Sequence, residues 1–380
     1  MSDLEPLPAG ARLLHIGPHK TGTTTVQHAF YASRDALGRQ GVHYPGPTKH
    51  PMIAAMAAST GARLASRADT ASGRWSSLLE EVRAAGPETA VVSSEFFCEA
   101  DEEHLRDIVH VLGGERVHVV VTLRPLVRIL ASQWQQFMQN RLVISYPDWL
   151  DAMLRHRDDT DVTPAFWRRH RHDDLVRRWA GVVGRENLTV VAVDQDDPGM
   201  LLRTFECLVG VEPGTLAAPN LAANRSLTYP EVEMVRAFNV AYRARGFSEA
   251  DYTRLVRFGA VRHMLARTPP SSEERLLTPR WAVDEACSIA AEMARGIADT
   301  GVRVVGDLGT LSDPGRETAI GENLVAPEIP VDLAACFAAG VVEALASLPA
   351  KPARKSRAVG PIEAAVRRRA APHDPPSRAS

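Results

Sequence analysis

Short apolar segments alternate with helical patterns along the first half of the chain, and this alternation restricts the possible folds more than any other feature. The segments are RLLHIG at 12–17, AVVSSEFF at 90–97, RVHVVVT at 116–122 and NLTVVAV at 187–193. Strands that alternate with helices are typical of βαβ units, whose parallel sheet is buried on both faces. We therefore predict an α/β fold with three layers, α/β/α, around a central parallel sheet.

The second half of the chain predicts a different organisation. From about residue 229 onward the pattern is mostly helical, which indicates a helical C-terminal part. We predict a leader at 1–11, a main domain at 12–310 and a helical extension at 311–350. The residues at 351–380 are rich in proline and arginine and poor in large apolar side chains, so we expect a disordered basic tail.

Composition limits the classes of partner. The net charge is −2 over 380 residues, so we expect no nucleic-acid partner, and any anion site must be built locally. The four cysteines are scattered, and no Cys/His cluster has the spacing of a zinc site. We find no signal peptide and no apolar run long enough to span a membrane. These features favour a cytoplasmic enzyme without a metal, and they leave the oligomeric state open.

A loop rich in glycine and threonine follows the first predicted strand, in the segment HIGPHKTGTTTVQ at 15–27. A strand that turns tightly into a helix directs backbone N–H groups and the positive end of the helix dipole at one point, which suits a phosphate group. Gly17 and Gly22 permit the tight backbone geometry. The hydroxyl groups of Thr23, Thr24 and Thr25 add donors at the start of the helix. We therefore predict a P-loop-like anion site here.

The position of the lysine separates this loop from the common nucleotide-triphosphate loop. That loop has the pattern GxxxxGK[ST], whereas here Thr23 stands at the lysine position and Lys20 lies inside the loop. No acidic magnesium ligand is evident at a strand end. The spacing argues against an ATPase or a kinase. An ATP-dependent small-molecule phosphotransferase and a non-catalytic nucleotide-binding protein remain as alternatives.

Polar residues at the ends of two other predicted strands extend this site. Arg124 ends the most apolar strand, and Ser132 follows eight residues later, about two helical turns on, so the pair suits a phosphomonoester. Arg128 is either a third member or a solvated charge on the helix. Glu95 ends another strand, in SSEFF, beside two phenylalanines, where it suits a general base. Capping or ion pairing is the alternative role of Glu95.

These motifs together resemble the sulfotransferases that use 3′-phosphoadenylyl sulfate. The loop HKTGTTT resembles the family's 5′-phosphosulfate loop, and Arg124 with Ser132 resembles its 3′-phosphate motif. The stretch at 175–211 looks like the family's later helix, strand and helix. The spellings HIGPHKTGTT, SSEFF and ANRSLT are most similar to bacterial members that act on carbohydrates or other small metabolites. The resemblance covers roughly residues 10–300.

The resemblance implies a role for each matching residue. Residues of the loop would bind the 5′-phosphosulfate of the donor: Lys20, Thr21 through its backbone, Gly22, Thr23 and Thr24. Arg124 and Ser132 would bind the 3′-phosphate. Thr25 stands where the family often has a Trp that stacks on adenine, so we assign Thr25 to the donor site. Residues other than a Trp at this position must then bind the adenine. The family's RKG loop is missing, and Arg225 in NRSLT is its substitute candidate.

The resemblance also implies the reaction. Lys20 would stabilise charge on the bridging oxygen while the sulfuryl group moves in line to a hydroxyl or amine of the acceptor, leaving adenosine 3′,5′-bisphosphate. Glu95 would be the general base where many members have a His, with His19 and His50 as alternatives. We expect the acceptor pocket to form from residues 43–71, residues 141–172 and the C-terminal third. For the charged run at 156–174 we favour a solvated loop over a sugar-binding segment.

Overall fold

A computed structural model describes residues 4–61, 68–217, 225–316 and 318–347 of the chain. Within these residues six strands form one parallel sheet in the order β2-β3-β1-β4-β5-β6. The strands are β1 Arg12–His15, β2 Val42–His43, β3 Thr89–Ser93, β4 Val117–Leu123, β5 Leu188–Ala192 and β6 Arg303–Val305. The predicted central parallel sheet is confirmed.

Four of these strands lie where the apolar segments predicted them, because their residues are buried along the full length of each strand. The prediction of a single strand at 90–97 was wrong in its second half. That strand ends at Ser93, and a 3₁₀ helix covers Glu95–Glu99. Ser94 caps this helix by accepting a hydrogen bond from the Phe96 N–H at 3.4 Å. The edge strands β2 and β6 were missed, since two or three residues make no periodic pattern.

Helices cover both faces of the sheet and build the C-terminal part. They are α1 Thr23–Ala32, α2 Arg34–Gly38, α3 Met52–Thr60, α4 Ala68–Ala84, α5 Glu102–Leu112, α6 Leu126–Met138, α7 Tyr146–Leu154, α8 Ala165–His170, α9 His172–Val183, α10 Met200–Val209, α11 Tyr229–Ala244, α12 Glu249–Asp251, α13 Val261–Ala266, α14 Arg280–Ala298 and α15 Val331–Ala346. A π-helical stretch, Tyr252–Ala260, joins α12 to α13.

Alternate residues of the central strand β4 separate the two outer layers. Val119 and Val121 pack into a core with α4, α5 and α9. Val120 points to the other face and packs with α1, α2 and α10. A third core, built mainly from α6, α7, α11 and α14, belongs to the helical part. The three-layer α/β/α architecture with a mostly helical C-terminal part is therefore confirmed.

The predicted leader and the predicted helical extension both contact the main domain. In the predicted leader, the Leu7 N–H donates to the Leu208 carbonyl of α10 at 2.9 Å. In the predicted extension, α15 packs closely on the π-helical stretch, because a Cβ atom on Gly340 would lie only 2.7 Å from the Ala260 Cα. The predicted tail at 351–380 lies outside the described residues.

The strand order places the carboxyl ends of β1 and β4 beside each other at the centre of the sheet. From β1 the chain moves to one edge and returns through β3, and from β4 it moves towards the other edge. The order reverses between β1 and β4, and such a reversal opens a crevice at the carboxyl ends of the strands. The loop after β1, Glu95 after β3 and Arg124 after β4 all border this crevice.

Candidate active site

The loop between β1 and α1 turns tightly because three of its residues have positive φ angles: 82° at Gly17, 68° at Lys20 and 103° at Gly22. The Gly17 carbonyl accepts a hydrogen bond from the Thr122 N–H of β4 at 2.9 Å. A Cβ atom on Gly17 would lie 2.9 Å from the Cα of Glu95, so a larger residue would force the loop and the turn apart. The loop therefore lies directly against the turn that carries Glu95.

Two threonines of the loop are buried and differ in their bonding. Thr21 Oγ1 donates to the Pro18 carbonyl at 2.6 Å and lies 3.0 Å from Thr122 Oγ1, so its side chain braces the loop. The Thr21 hydroxyl is therefore engaged within the protein, and the backbone role that the resemblance implies for Thr21 stays a prediction. Thr23 Oγ1 is buried and has no hydrogen-bond partner among the described residues. Such an orphaned hydroxyl is a donor that a bound anion would satisfy.

The N-terminus of α1 forms the other half of the loop. Gly22 is its N-cap residue and offers no side chain to the first N–H groups of the helix. The first turn of a helix has N–H groups without intrahelical partners and carries a partial positive charge. Thr24 is exposed and Thr25 is half-buried on this turn. The helix start can therefore donate backbone and hydroxyl hydrogen bonds to one anion.

Lys20 is exposed to solvent, but protein atoms in the recess around it displace part of its water. This desolvation lowers the pKa of the Lys20 ammonium group, and the negative charge of Glu95 opposes the effect. Lys20 has a φ angle of 68°, a conformation that few non-glycine residues adopt. The structure thus brings Lys20 and Glu95, which are far apart in sequence, into electrostatic contact at one site.

A chain of polar contacts supports Glu95 from the side of α1. Gln27 Nε2 donates to the Ser93 carbonyl at 3.0 Å and approaches Glu95 Oε2 at 3.4 Å. Gln27 Oε1 in turn contacts Nδ1 of His50. Burial lowers the pKa of His50, and the Glu95 carboxylate opposes this effect. His50, predicted as an alternative base, is therefore linked to Glu95 through Gln27, a residue to which the sequence assigned no role.

Arg124 lies against the loop, although more than 100 residues separate them in sequence. A Cβ atom on Gly22 would lie 3.5 Å from Arg124 Nη2 and 3.0 Å from a methyl carbon of Leu201. Arg124 Nε is buried and lacks a hydrogen-bond partner among the described residues. Burial, and then the positive charge of Arg128, lower the pKa of Arg124. A guanidinium with a buried, orphaned donor beside the loop favours binding of a second anion.

Ser132 lies on α6, which begins two residues after Arg124. It is half-buried, and it stands on the same helix face as Arg128, one turn earlier. Arg128 Nη1 lies 3.7 Å from the position that a Cβ atom would take on Gly315. Arg128 and Ser132 thus lie one turn apart on one face of α6, the helix that follows Arg124.

The second alternative base, His19, is held inside the protein by an acid. His19 is buried, and its Nε2 lies 3.2 Å from Glu99 Oε1. Arg169 Nη2 contacts the same oxygen at 2.9 Å. Burial raises the pKa of Glu99, but the hydrogen bond from His19 and the charge of Arg169 outweigh it and lower the pKa overall. His19 therefore ties the loop to the end of the 3₁₀ turn, and neither Glu99 nor Arg169 was singled out in the sequence.

The expectation of a solvated loop for the charged run at 156–174 was wrong in its second half, whereas residues 156–164 form no helix or strand and none of them is buried. The second half forms α8 and the start of α9, and Phe166 and His170 are completely buried. Both ring nitrogens of His170 lack partners among the described residues. Burial, then the charges of His172 and His19, hold the pKa of His170 well below its usual value. Apolar residues hidden between the charges, at Phe166 and Trp167, were the missed signal.

His15 braces the carboxyl end of the sheet below the loop. Its Nδ1 lies 2.8 Å from Ser93 Oγ and its Nε2 lies 3.0 Å from Thr122 Oγ1, so the ring bridges β3 and β4. The side chain is completely buried. Burial lowers the pKa of His15 to about 3, and the imidazole is therefore neutral at neutral pH.

This arrangement predicts that His15 makes the fold sensitive to acid. Unfolded histidine has a pKa of about 6.5, so between pH 6.5 and about 3 the unfolded chain binds a proton that the folded chain refuses. The free energy of unfolding should decrease as the pH is lowered from 6.5 towards 3, by up to about 1.4 kcal/mol per pH unit for one such group. Urea unfolding at several pH values should show a shallower dependence for His15→Gln than for the unaltered chain. Equal slopes would contradict the assignment.

Arg225 has a structural position. Its guanidinium makes two hydrogen bonds to the buried Glu231, at 2.6 and 2.8 Å. Its remaining donors go to the carbonyls of Ser226, Met264 and Arg267. All five N–H donors are engaged in this way, so a phosphate would have to displace one of these partners. The geometry offers no support for donor binding by Arg225.

Comparisons with protein-family models, with curated proteins and with solved structures give no match to this chain.

None of the described helices is both long and apolar enough to cross a lipid bilayer. Within the same residues, no group of three or more acidic, His or Cys side chains is placed to hold a metal ion. The contacts described above bring together the loop after β1, Gln27 of α1, Glu95 after β3 and Arg124 after β4 as the candidate active site.

Proposed function

We propose that the chain is a sulfotransferase that moves a sulfuryl group from 3′-phosphoadenylyl sulfate to a hydroxyl or amine of a carbohydrate or other small metabolite. The observation that carries the proposal is the contact between two anion-binding elements. Arg124 Nη2 lies 3.5 Å from the Cβ position of Gly22, at the N-terminus of α1. A donor with a 5′-phosphosulfate and a separate 3′-phosphate needs two such elements side by side.

The residues present fit such a donor. Gly22 offers no side chain to the first N–H groups of α1, and Thr23 Oγ1 and Arg124 Nε are buried donors without partners among the described residues. The start of α1 would hold the 5′-phosphosulfate, and Arg124 with Ser132 would hold the 3′-phosphate. The bound donor supplies a sulfuryl group on a phosphate that is an effective leaving group.

Glu95 would accept the proton of the acceptor, and Lys20 would stabilise the negative charge of the leaving group. The Glu95 carboxylate accepts the proton of the acceptor hydroxyl as the new S–O bond forms and the bond to the phosphate oxygen breaks. Lys20 places its ammonium group where negative charge grows on that leaving oxygen. Gln27 orients the Glu95 carboxylate through its amide group. The other loop residues keep the reacting groups aligned, and this positioning lowers the barrier.

The direct test compares two donors with a panel of small acceptors. The protein is incubated with 3′-phosphoadenylyl sulfate or with ATP, and sulfated or phosphorylated products are detected by mass spectrometry. Sulfated product and adenosine 3′,5′-bisphosphate should appear together. Phosphorylation with ATP would instead support the phosphotransferase alternative. Binding of adenosine 3′,5′-bisphosphate without any transfer would support a non-catalytic nucleotide-binding protein.

Replacement of the proposed base should separate catalysis from binding. Glu95→Gln keeps the shape of the side chain but cannot accept the proton, so transfer should fall by about 10²- to 10⁴-fold. The affinity for adenosine 3′,5′-bisphosphate should change little, since Glu95 does not hold the nucleotide in this scheme. Turnover and calorimetric affinity are measured on the same preparation.

The exposed Glu88, just before β3, provides a matched control. Glu88→Gln makes the same chemical change near the start of the strand that Glu95 follows, and it should leave both turnover and affinity unaltered. Near-normal transfer by Glu95→Gln would exclude Glu95 as the base. His50, which contacts Gln27, would then be tested next.

A further inference from the structure

A cleft of about 760 Å³ lies between α3, the end of the 3₁₀ turn, the start of α5, α8 and the first turns of α9. Its size falls within the range of small-molecule sites. Thr60, Trp167 and Arg168 are among its lining residues. These residues come from two of the three segments that were expected to shape the acceptor pocket.

Glu99 connects this cleft to the candidate active site. It lines the cleft, and its Oε1 lies 3.2 Å from Nε2 of His19 in the loop. Glu95 and Glu99 occupy the two ends of the same 3₁₀ turn. With a rise of about 2 Å per residue, the two positions are roughly 8 Å apart along the turn. A ligand in the cleft would therefore lie within one small-molecule length of the proposed base.

The side chains of the cleft are largely fixed before any ligand binds. Trp167 Nε1 donates to the Met153 carbonyl at 3.0 Å, which leaves apolar carbon surface for a ligand. Arg178 donates to Asp174 at 3.1 Å and to the Ala100 carbonyl at 2.7 Å. Arg168 is exposed, and the described part of the chain supplies it with no ion-pair partner. A preorganised cleft with one available guanidinium favours binding of a polar ligand.

The balance of charge in the cleft indicates the class of ligand. Three arginines face four carboxylates among the lining residues, so the cleft has little net attraction for a polyanion. Closely spaced donors and acceptors match hydroxyl groups, which both donate and accept. The apolar surface of Trp167 matches the C–H face of a sugar ring.

We propose that this cleft binds the acceptor of the reaction and that the acceptor is a neutral mono- or oligosaccharide. The inference rests on the proposed function, because it takes the loop and Glu95 as the transfer site. Trp167 packs on the sugar ring, and Arg168 with the carboxylates bonds its hydroxyl groups. The hydroxyl that is sulfated projects towards Glu95.

The test measures sugar binding independently of donor binding. Saturation-transfer NMR is recorded with glucose, N-acetylglucosamine and maltose, with glucuronate as an anionic sugar and 4-nitrophenol as an apolar acceptor. At least one neutral sugar should give the strongest signal. Trp167→Ala and Arg168→Ala should each weaken that binding by about tenfold or more. Arg280→Ala, a change at an exposed arginine outside the cleft, should have no effect.

Calorimetry with adenosine 3′,5′-bisphosphate on the same variants distinguishes the two proposals. Trp167→Ala should bind this nucleotide normally, and Arg124→Ala should bind the sugar normally. Failure of the unaltered chain to bind the nucleotide would overturn the proposed function. Two results with normal nucleotide binding would overturn the cleft assignment. In one, both cleft variants retain the sugar signal; in the other, no neutral sugar gives a signal.

Two further results decide the ligand class and exclude a folding artefact. A stronger signal from glucuronate or 4-nitrophenol than from every neutral sugar would overturn the neutral-carbohydrate assignment. If Trp167→Ala does not fold, Trp167→Phe and Arg168→Glu are tested instead. Trp167→Phe should retain part of the sugar binding. The charge reversal Arg168→Glu should weaken sugar binding, and unchanged binding in this variant would overturn the proposal.

Discussion

Replacement of Lys20 with Ala should reduce sulfuryl transfer by about a thousandfold. The loss of one group that stabilises charge in a transition state typically costs 10²- to 10³-fold or more. In this chain no other described lysine lies in the loop, since the next one is Lys49. The ammonium group also sits beside Glu95 in a partly desolvated recess, where its charge acts more strongly than in water. Turnover is measured with the saturating donor and an acceptor found in the screen.

The backbone at Lys20 supplies an internal control for folding. Its φ angle of 68° costs a non-glycine residue about 1 kcal/mol. Lys20→Gly should therefore raise the free energy of unfolding by about that amount and still lack transfer. Lys49→Ala removes the other described lysine and should keep most of the activity. If Lys20→Gly were both stable and active, Lys20 would have no part in the reaction.

Replacement of Arg124 with Ala should weaken binding of adenosine 3′,5′-bisphosphate by about a hundredfold. A guanidinium that holds a phosphate through two charge-assisted hydrogen bonds contributes about 2–3 kcal/mol. The fold should tolerate the change, since burial and the neighbouring Arg128 already disfavour this charge. Calorimetry on the folded variant gives the affinity directly.

The nucleotide itself provides the control for Arg124. Adenosine 5′-monophosphate lacks the 3′-phosphate, so Arg124→Ala should hardly change its affinity. The difference between the two nucleotides then isolates the contact of Arg124 with the 3′-phosphate, as in a double-mutant cycle. Arg124→Lys should recover only part of the affinity, because an ammonium group cannot form the paired hydrogen bonds. Equal losses for both nucleotides would place Arg124 elsewhere on the ligand.

The sheet was predictable because its central strands are buried on both faces. Such strands require unbroken apolar, β-branched segments, and β4 at Val117–Leu123 meets this requirement in sequence alone. The edge strands β2 and β6 depend on pairing with a neighbour rather than on their own composition. The 3₁₀ turn at Glu95–Glu99 was also missed, because the two phenylalanines extend the apolar pattern of the strand beyond Ser94, which caps the turn.

The candidate site was predictable where its residues are contiguous or end a buried strand. The loop residues share one short segment, and Glu95 and Arg124 follow strands whose carboxyl ends meet at one edge of the sheet. The expectation of a solvated loop failed for the second half of the run at 156–174, because the burial of that half depends on contacts with α14, which lies more than 100 residues further along the chain. For instance, the His172 N–H contacts the sulfur of Met293.

The order of residues from β1 into α1 is enough to specify an anion site with a lysine inside the loop, because the local backbone builds it. Which groups face that loop depends on contacts between distant segments. Packing alone brings Arg124 against Gly22, Gln27 against Glu95, and Arg169 with His19 onto Glu99. Ion pairs and buried hydrogen bonds form wherever strand order and helix packing bring their partners together. For that reason the anion-binding loop could be predicted from one segment of the sequence. The cleft beside it could be found only in the tertiary structure, because distant segments form it.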